Sequence, residues 1–233
     1  MFFKNKLKVL YNSSFEEDHI KNCIKKMPYN LPTYFKNIPH QMFNPELKKF
    51  LPFLRTVKTC PGYVNLFKHS LLICNPVDSY IQFNDHGIEF QKHGAYNDEK
   101  AFAHPNDHLL KYVPNKHNYK FIIKYCLPFS FKSNVAYISM DPGYHFSDHK
   151  TFPGIVPSNW FNEYNIFIPI HKDQEELYIK EGEPLSIIVP LTEKKVSLKF
   201  KERPANIIDK SIGYRFSNFK KFLRKDTWKL DQN

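Results

Sequence analysis

The sequence predicts a mainly β fold: an antiparallel β-sandwich of jelly-roll type, dressed by an N-terminal helical arm and a C-terminal basic helix. Three observations point there. Short stretches in which apolar and polar residues alternate recur at close intervals through the middle of the chain, the period of a half-buried strand. Proline and polar turn residues separate them, as in sandwiches and barrels. The 233 residues are 42% hydrophobic and include 22 Phe and 14 Tyr, a folding composition rich in strand formers. This length buries a substantial core in one domain without staples.

Taken in order, Leu7, Val9 and Tyr11 suggest a first strand over 6–11. Ser13-Ser14-Phe15-Glu16-Glu17 reads as a helix start, a hydroxyl cap followed by acids, with Ile20, Cys23 and Ile24 at helical spacing until Pro28. The proline-rich stretch 28–52 predicts extended loop with a helical turn near Pro45-Glu46-Leu47. Thr59 or Cys60 caps a second helix with Pro61 in its first turn and Tyr63, Val64 and Phe67 along it. Strands follow over 70–74, 79–83 and 87–91, the last two joined by the turn Asn84-Asp85-His86-Gly87. Further strands are expected over 119–127, 135–140, 164–169, 177–179, 185–190 and 196–200, with Gly182 turning the chain between two of them. In 211–228, Phe216, Phe219, Phe222 and Leu223 form one helical stripe bordered by Lys220, Lys221, Arg224 and Lys225. The chain thus divides into an N-terminal arm (1–55), a sandwich domain (56–203) and a C-terminal basic amphipathic helix (204–233).

The net charge of +11 is unevenly spread. Residues 1–80 hold 12 Lys/Arg against 5 Asp/Glu, residues 191–233 hold 12 against 5, and the middle holds 10 against 13. Basic ends around a slightly acidic centre predict an anionic partner: nucleic acid, an acidic protein face or a phosphorylated surface. Of 34 basic residues only Arg55, Arg203, Arg215 and Arg224 are Arg, which argues against bidentate phosphate or guanine recognition. No apolar run approaches the roughly 20 residues of a membrane-spanning helix. The N-terminus has no signal-peptide pattern, so the expected setting is the interior of a cell or of a virus-infected cell. Cys23, Cys60, Cys74 and Cys126 are scattered without a framework, as expected of free thiols in a reducing interior.

Histidines carry the chemical candidates. His86, Glu89 and His93 lie in or beside one hairpin, although in a strand 89 and 93 share a face and 86 does not. His145 and His149 form a second group with Asp148. Together they are the ligand set of an alternative reading, a divalent transition metal in a metal-dependent enzyme. His104 and His108 have helical spacing but span Pro105, and His171-Lys172-Asp173 starts a facial triad that no later histidine completes. Cys60, at a helix start, lacks a nearby imidazole because His69 lies more than two turns away. Tyr112, Tyr119, Tyr125, Phe129 and Phe131 interleave with lysines, a pattern that stacks bases or, in strands, fills a core.

Three resemblances accompany these readings. The Asp141-Pro142-Gly143-Tyr144-His145 stretch resembles the second half of the cupin metal motif, whose first half is missing. The run 152–161, with Gly154-Ile155-Val156, and the run 179–188, with Lys180-Glu181-Gly182-Glu183, resemble part of the dUTPase fold family. That likeness implies architecture alone, since Pro157 stands where the catalytic aspartate would be. As a whole, Cys60–Tyr63, Pro76-Val77-Asp78 and Pro153–Phe161 are similar to uncharacterised proteins encoded by tailed phages. This similarity implies a virion, assembly or host-takeover component.

The function expected from all this is non-enzymatic: a binding or structural protein that meets an anionic or protein partner through its basic ends. The stripe Phe219, Leu223 with Lys220, Lys221, Arg224 and Lys225 is the expected contact. Nucleic acid is a further partner class, and self-association is left open.

Overall fold

The protein is described by a computed structural model covering residues 5–11, 14–84, 87–92, 101–104, 118–156, 161–192 and 194–203. Among the described residues the fold is mainly β, with several sheets and three short α-helices: α1 (Glu17–Cys23), α2 (Thr33–Asn37) and α3 (Pro61–Lys68).

The first sheet is organised by β9 (Tyr119–Ser133), which pairs along one edge with β12 (Phe161–His171). Its other edge is shared. Residues 122–125 pair with β8 (Ala101–His104), and residues 129–133 pair with β1 (Asn5–Tyr11). Beyond β1 lies β15 (Val196–Glu202), in parallel. The antiparallel expectation fails at this pair alone among the described strands. A parallel neighbour needs a long connection, and here nearly the whole chain supplies it.

A second sheet runs β11 (Gly154–Val156), β10 (Tyr137–Met140), β14 (Pro184–Pro190), β5 (Leu71–Cys74) and β2 (Ile24–Lys26). A third places β6 (Ser79–Asn84) between β13 (Glu176–Ile179) and β7 (Gly87–Lys92). The hairpin predicted around Asn84 and Gly87 is present. The Gly154-Ile155-Val156 element is an edge strand on β10.

Residues 41–55 depart from the predicted loop, forming a hairpin of β3 (Gln41–Asn44) and β4 (Lys49–Arg55). Asn44 Oδ1 accepts the Leu47 N–H at 2.9 Å, and Lys48 closes the turn at φ 49. The local side-chain bond and the fixed φ of Pro45 make a turn that hands the chain back as a strand. Among the described residues β4 pairs with β3 alone, and Pro52 falls in the register irregularity between the Met42–Leu51 and Gln41–Arg55 pairs, where a missing N–H is tolerated.

Helices also differ in detail. The N-cap of α1 is Glu16, without a side-chain cap bond, and the helix stops at Cys23 because Ile24 turns extended to pair with β5. Within the predicted arm, β1 and α1 join the main body. Leu7, Val9, Phe15, Ile20 and Cys23 sit in the same core cluster as Phe131 and Ile168. The helix predicted over 211–228 lies outside the described residues.

Side chains from the first three sheets meet in that single cluster, and two tyrosines carry polar links across it. Tyr164 of β12 lies 2.6 Å from the hydroxyls of both Ser139 and Ser186, on the adjacent strands β10 and β14 of the second sheet. Tyr125 of β9 donates to Asn75 Oδ1 at 2.7 Å and touches the Ser79 hydroxyl at 2.7 Å.

Asn75 has no exposed surface, and each of its polar groups is engaged. Its N–H donates to Glu183 O at 2.8 Å and its carbonyl accepts from Gly182 N–H at 2.8 Å. Its Nδ2 donates to Ile179 O at 2.9 Å and to Val77 O. The residue thus joins the β5–β6 connection, the β13–β14 turn and β9. Replacing one member of a buried network strands its partners without water, at about 1–3 kcal/mol for each orphaned group. Asn75→Ala is therefore expected to lower unfolding free energy by about 3 kcal/mol in urea titration. A loss within the ordinary surface range of about 0.5 kcal/mol would refute the junction's role.

Candidate anion-binding surface and the histidine loop

The β1–β15 pair brings one strand from each basic segment of the chain side by side. In β1 the period-two pattern turns Leu7 and Val9 into the core and leaves Lys6 and Lys8 exposed. In β15, Leu198 and Phe200 pack against the core while Lys199 and Lys201 are exposed. Register places Lys8 directly opposite Lys199 on one side and Lys132 of β9 on the other. Three lysines thus form a row across adjacent strands, roughly 4.8 Å apart along the hydrogen-bonding direction. Lys6 lies two residues before Lys8 on β1, and Lys201 two residues after Lys199 on β15. None of the five makes an ion pair with another described residue. Glu163 holds the neighbouring register position opposite Ser130. Like charges directly opposite repel and destabilise a sheet unless an anion neutralises them.

Of the sequence-predicted metal residues, His145 and His149 are described. Glu89 is a β7 position opposite Gln82, and His86 and His93 lie outside the described residues. His145 and His149 sit in the loop between β10 and β11, against the β13–β14 turn. This loop is pinned by Asp141, whose carboxylate accepts the Gly143 N–H at 2.8 Å and the Thr151 N–H at 3.3 Å. Gly143 adopts φ 58, a left-handed conformation that glycine adopts without penalty. Tyr144 packs into the aromatic rings of Phe35, Tyr63 and Phe67. The loop's lower half is thus anchored to α2 and α3.

His149 is buried, and neither ring nitrogen has a hydrogen-bond partner. Its Nδ1 stands 3.6 Å from Glu183 Oε1. Burial pushes its pKa down, opposed by the carboxylates of Glu183, Asp141 and Asp148 and assisted by Lys150. Burial wins, so the ring is neutral at neutral pH. His145 is half-buried and shifted in the same direction by burial and then by Lys25. Among the described residues, no three His, Cys, Asp or Glu side chains are grouped to hold a metal ion.

The remaining candidates separate as well. Cys60 is the N-cap of α3 and His69 its C-cap, so thiol and imidazole stand at opposite ends of the helix. His171 Nδ1 lies 3.2 Å from Asp173 Oδ2 at the surface. Tyr125, Phe129 and Phe131 are core residues, which leaves Tyr119 exposed. The stripe Phe219, Lys220, Lys221, Leu223, Arg224 and Lys225 lies outside the described residues. Sequence reasoning missed the lysine row. Its alternation with Leu7, Val9, Leu198 and Phe200 is legible, but the pairing of β1 with β15 is not.

Two outcomes follow from this geometry. Histidines with depressed pKa bind fewer protons folded than unfolded, so stability is full above about pH 6.5 and falls as pH drops below that value. Denaturant midpoints at pH 7.5, 6.5 and 5.5 should decline, and His145→Gln with His149→Gln should flatten the decline. A wild-type midpoint constant across that range would contradict the assignment. Lys8→Glu, which sets a carboxylate between Lys132 and Lys199, should raise the midpoint at low salt and lose the gain in 1 M salt, where the Debye length is about 3 Å.

Among the described residues no helix is long and apolar enough to cross a membrane. The chain matches no protein-family model, no curated protein and no solved structure.

Proposed function

We propose that the protein is a non-enzymatic binding module that meets an anionic partner through the basic strands at its two ends. The observation that carries this reading is the row Lys132, Lys8 and Lys199, with Lys6 and Lys201 beside it, on one solvent face. An unneutralised row of one sign raises the local concentration of anions and speeds their association. Lysines, as compact point charges, suit a diffuse polyanionic surface better than a bidentate site. We further propose that the sheets pack as a β-sandwich scaffold behind this face. The shared core and the Tyr164 and Tyr125 links support that arrangement. The likeness to tailed-phage proteins supports a virion, assembly or host-takeover setting.

Retention on immobilised heparin tests the reading. The variant Lys8→Gln/Lys132→Gln/Lys199→Gln should elute at clearly lower salt than wild type. A control, Lys150→Gln/Lys172→Gln/Lys180→Gln, removes the same charge from elsewhere and should elute close to wild type. Equal shifts in the two variants would reduce the effect to net charge and sink the proposal.

A further inference from the structure

A recess opens on the opposite, core-side face of the β1–β15 pair, where Leu7, Val196 and Leu198 approach Leu71 of β5. Its volume is about 310 Å³, within the range of small-molecule sites, roughly 300–1,000 Å³. At about 30 Å³ for each water-sized group, it has room for roughly ten heavy atoms. Pro28 and Pro190 complete an apolar wall.

The polar part of the lining has one sign. Lys26, Lys68 and Lys195, all exposed, converge on it from three separate segments, and no Asp or Glu lines it. None of the three lysines makes an ion pair with another described residue. His69 also lines the recess, and its Nε2 is shut from solvent without a hydrogen-bond partner. A buried polar atom left unpaired costs free energy that a ligand oxygen or N–H would recover.

We propose that this recess binds a small amphiphilic anion: an apolar chain or ring of about eight carbons ending in one carboxylate or phosphate. The apolar body displaces water from Leu7, Leu71, Val196 and Leu198. The head stays at the rim within reach of Lys26, Lys68 and Lys195, with His69 beneath it. A cation gains the same burial but meets three positive charges, and a neutral alcohol gains burial without attraction. The site does not rest on the lysine row, which lies on the other face of the same strands.

Isothermal titration of the full chain at pH 7.4 with octanoate, octyl phosphate, octanol and octylamine tests this. Saturable one-to-one binding of at least one anion is expected, with octanol at least ten-fold weaker and octylamine weaker still. Tighter octyl phosphate identifies the head as phosphate, and tighter octanoate identifies it as carboxylate. Lys26→Gln/Lys68→Gln/Lys195→Gln should weaken the anion at least ten-fold, whereas Lys8→Gln/Lys132→Gln/Lys199→Gln should leave it unchanged. Absence of saturable binding by both anions would overturn the proposal. So would octylamine or octanol binding as tightly, or indifference to the rim substitutions.

Discussion

The buried junction at Asn75 is the constraint from which the rest of the fold takes its relative placement. Apolar contacts are non-directional and would let sheets slide over one another at small cost. A fully satisfied polar group is directional. Because Asn75 has no exposure, every bond it makes must be kept or lost outright. It fixes Tyr125 of β9 at 2.7 Å, Ile179 of β13 at 2.9 Å, and Gly182 and Glu183 in the β13–β14 turn at 2.8 Å. Tyr164 repeats the device further along, reaching Ser139 and Ser186, and burial there pushes its phenol up to about 12. That phenol therefore remains a neutral hydroxyl at physiological pH. Aromatic packing fills the space between the two tyrosines, with Phe131 edge-on to both Tyr164 and Tyr137.

With that frame in place, the course of the two chain ends follows. The edge of β9 beyond residue 129 must be paired, because an exposed ladder invites aggregation. β1 fills it, and β15 then covers β1. The same alternation that sends Leu7, Val9, Leu198 and Phe200 inward sends Lys6, Lys8, Lys199 and Lys201 outward. The basic surface and the recess are therefore two consequences of one strand pairing, one on each face.

Local pattern made much of the fold legible. β14 is expected over 185–190 and runs Pro184–Pro190, and the β6–β7 hairpin announces itself through Asn84 and Gly87. The β3–β4 hairpin was hidden by its prolines, whose effect depends on whether a strand edge is free, a tertiary fact. The β1–β15 pairing was hidden because parallel partners far apart in sequence leave no turn to read. Asn75, followed by Pro76, looks like an ordinary turn residue. Its partners Tyr125 and Ile179 lie 50 and 104 positions away. The histidine spacing suggested shared chemistry for His145 and His149, yet their four-residue separation falls in an irregular loop that gives them different depths and neighbours. Spacing informs about geometry only where the backbone is regular.

Some surface charges have a partner close at hand. Lys21 sits 2.8 Å from Glu17 and 3.0 Å from Asp18, and Tyr80 donates to Glu176 at 2.6 Å across β6 and β13. The row through Lys8 is arranged otherwise. Both of its cross-strand partners carry its own sign, although either position would hold an acid or a neutral residue without disturbing the core, since all three side chains are exposed. Repulsion between directly opposed charges weakens the pairing of β1, the strand on which the placement of β15 depends. A sequence shaped for stability alone has no reason to keep that arrangement. A surface that meets a negative partner does, because the partner's charge converts the repulsion into attraction at the moment of contact.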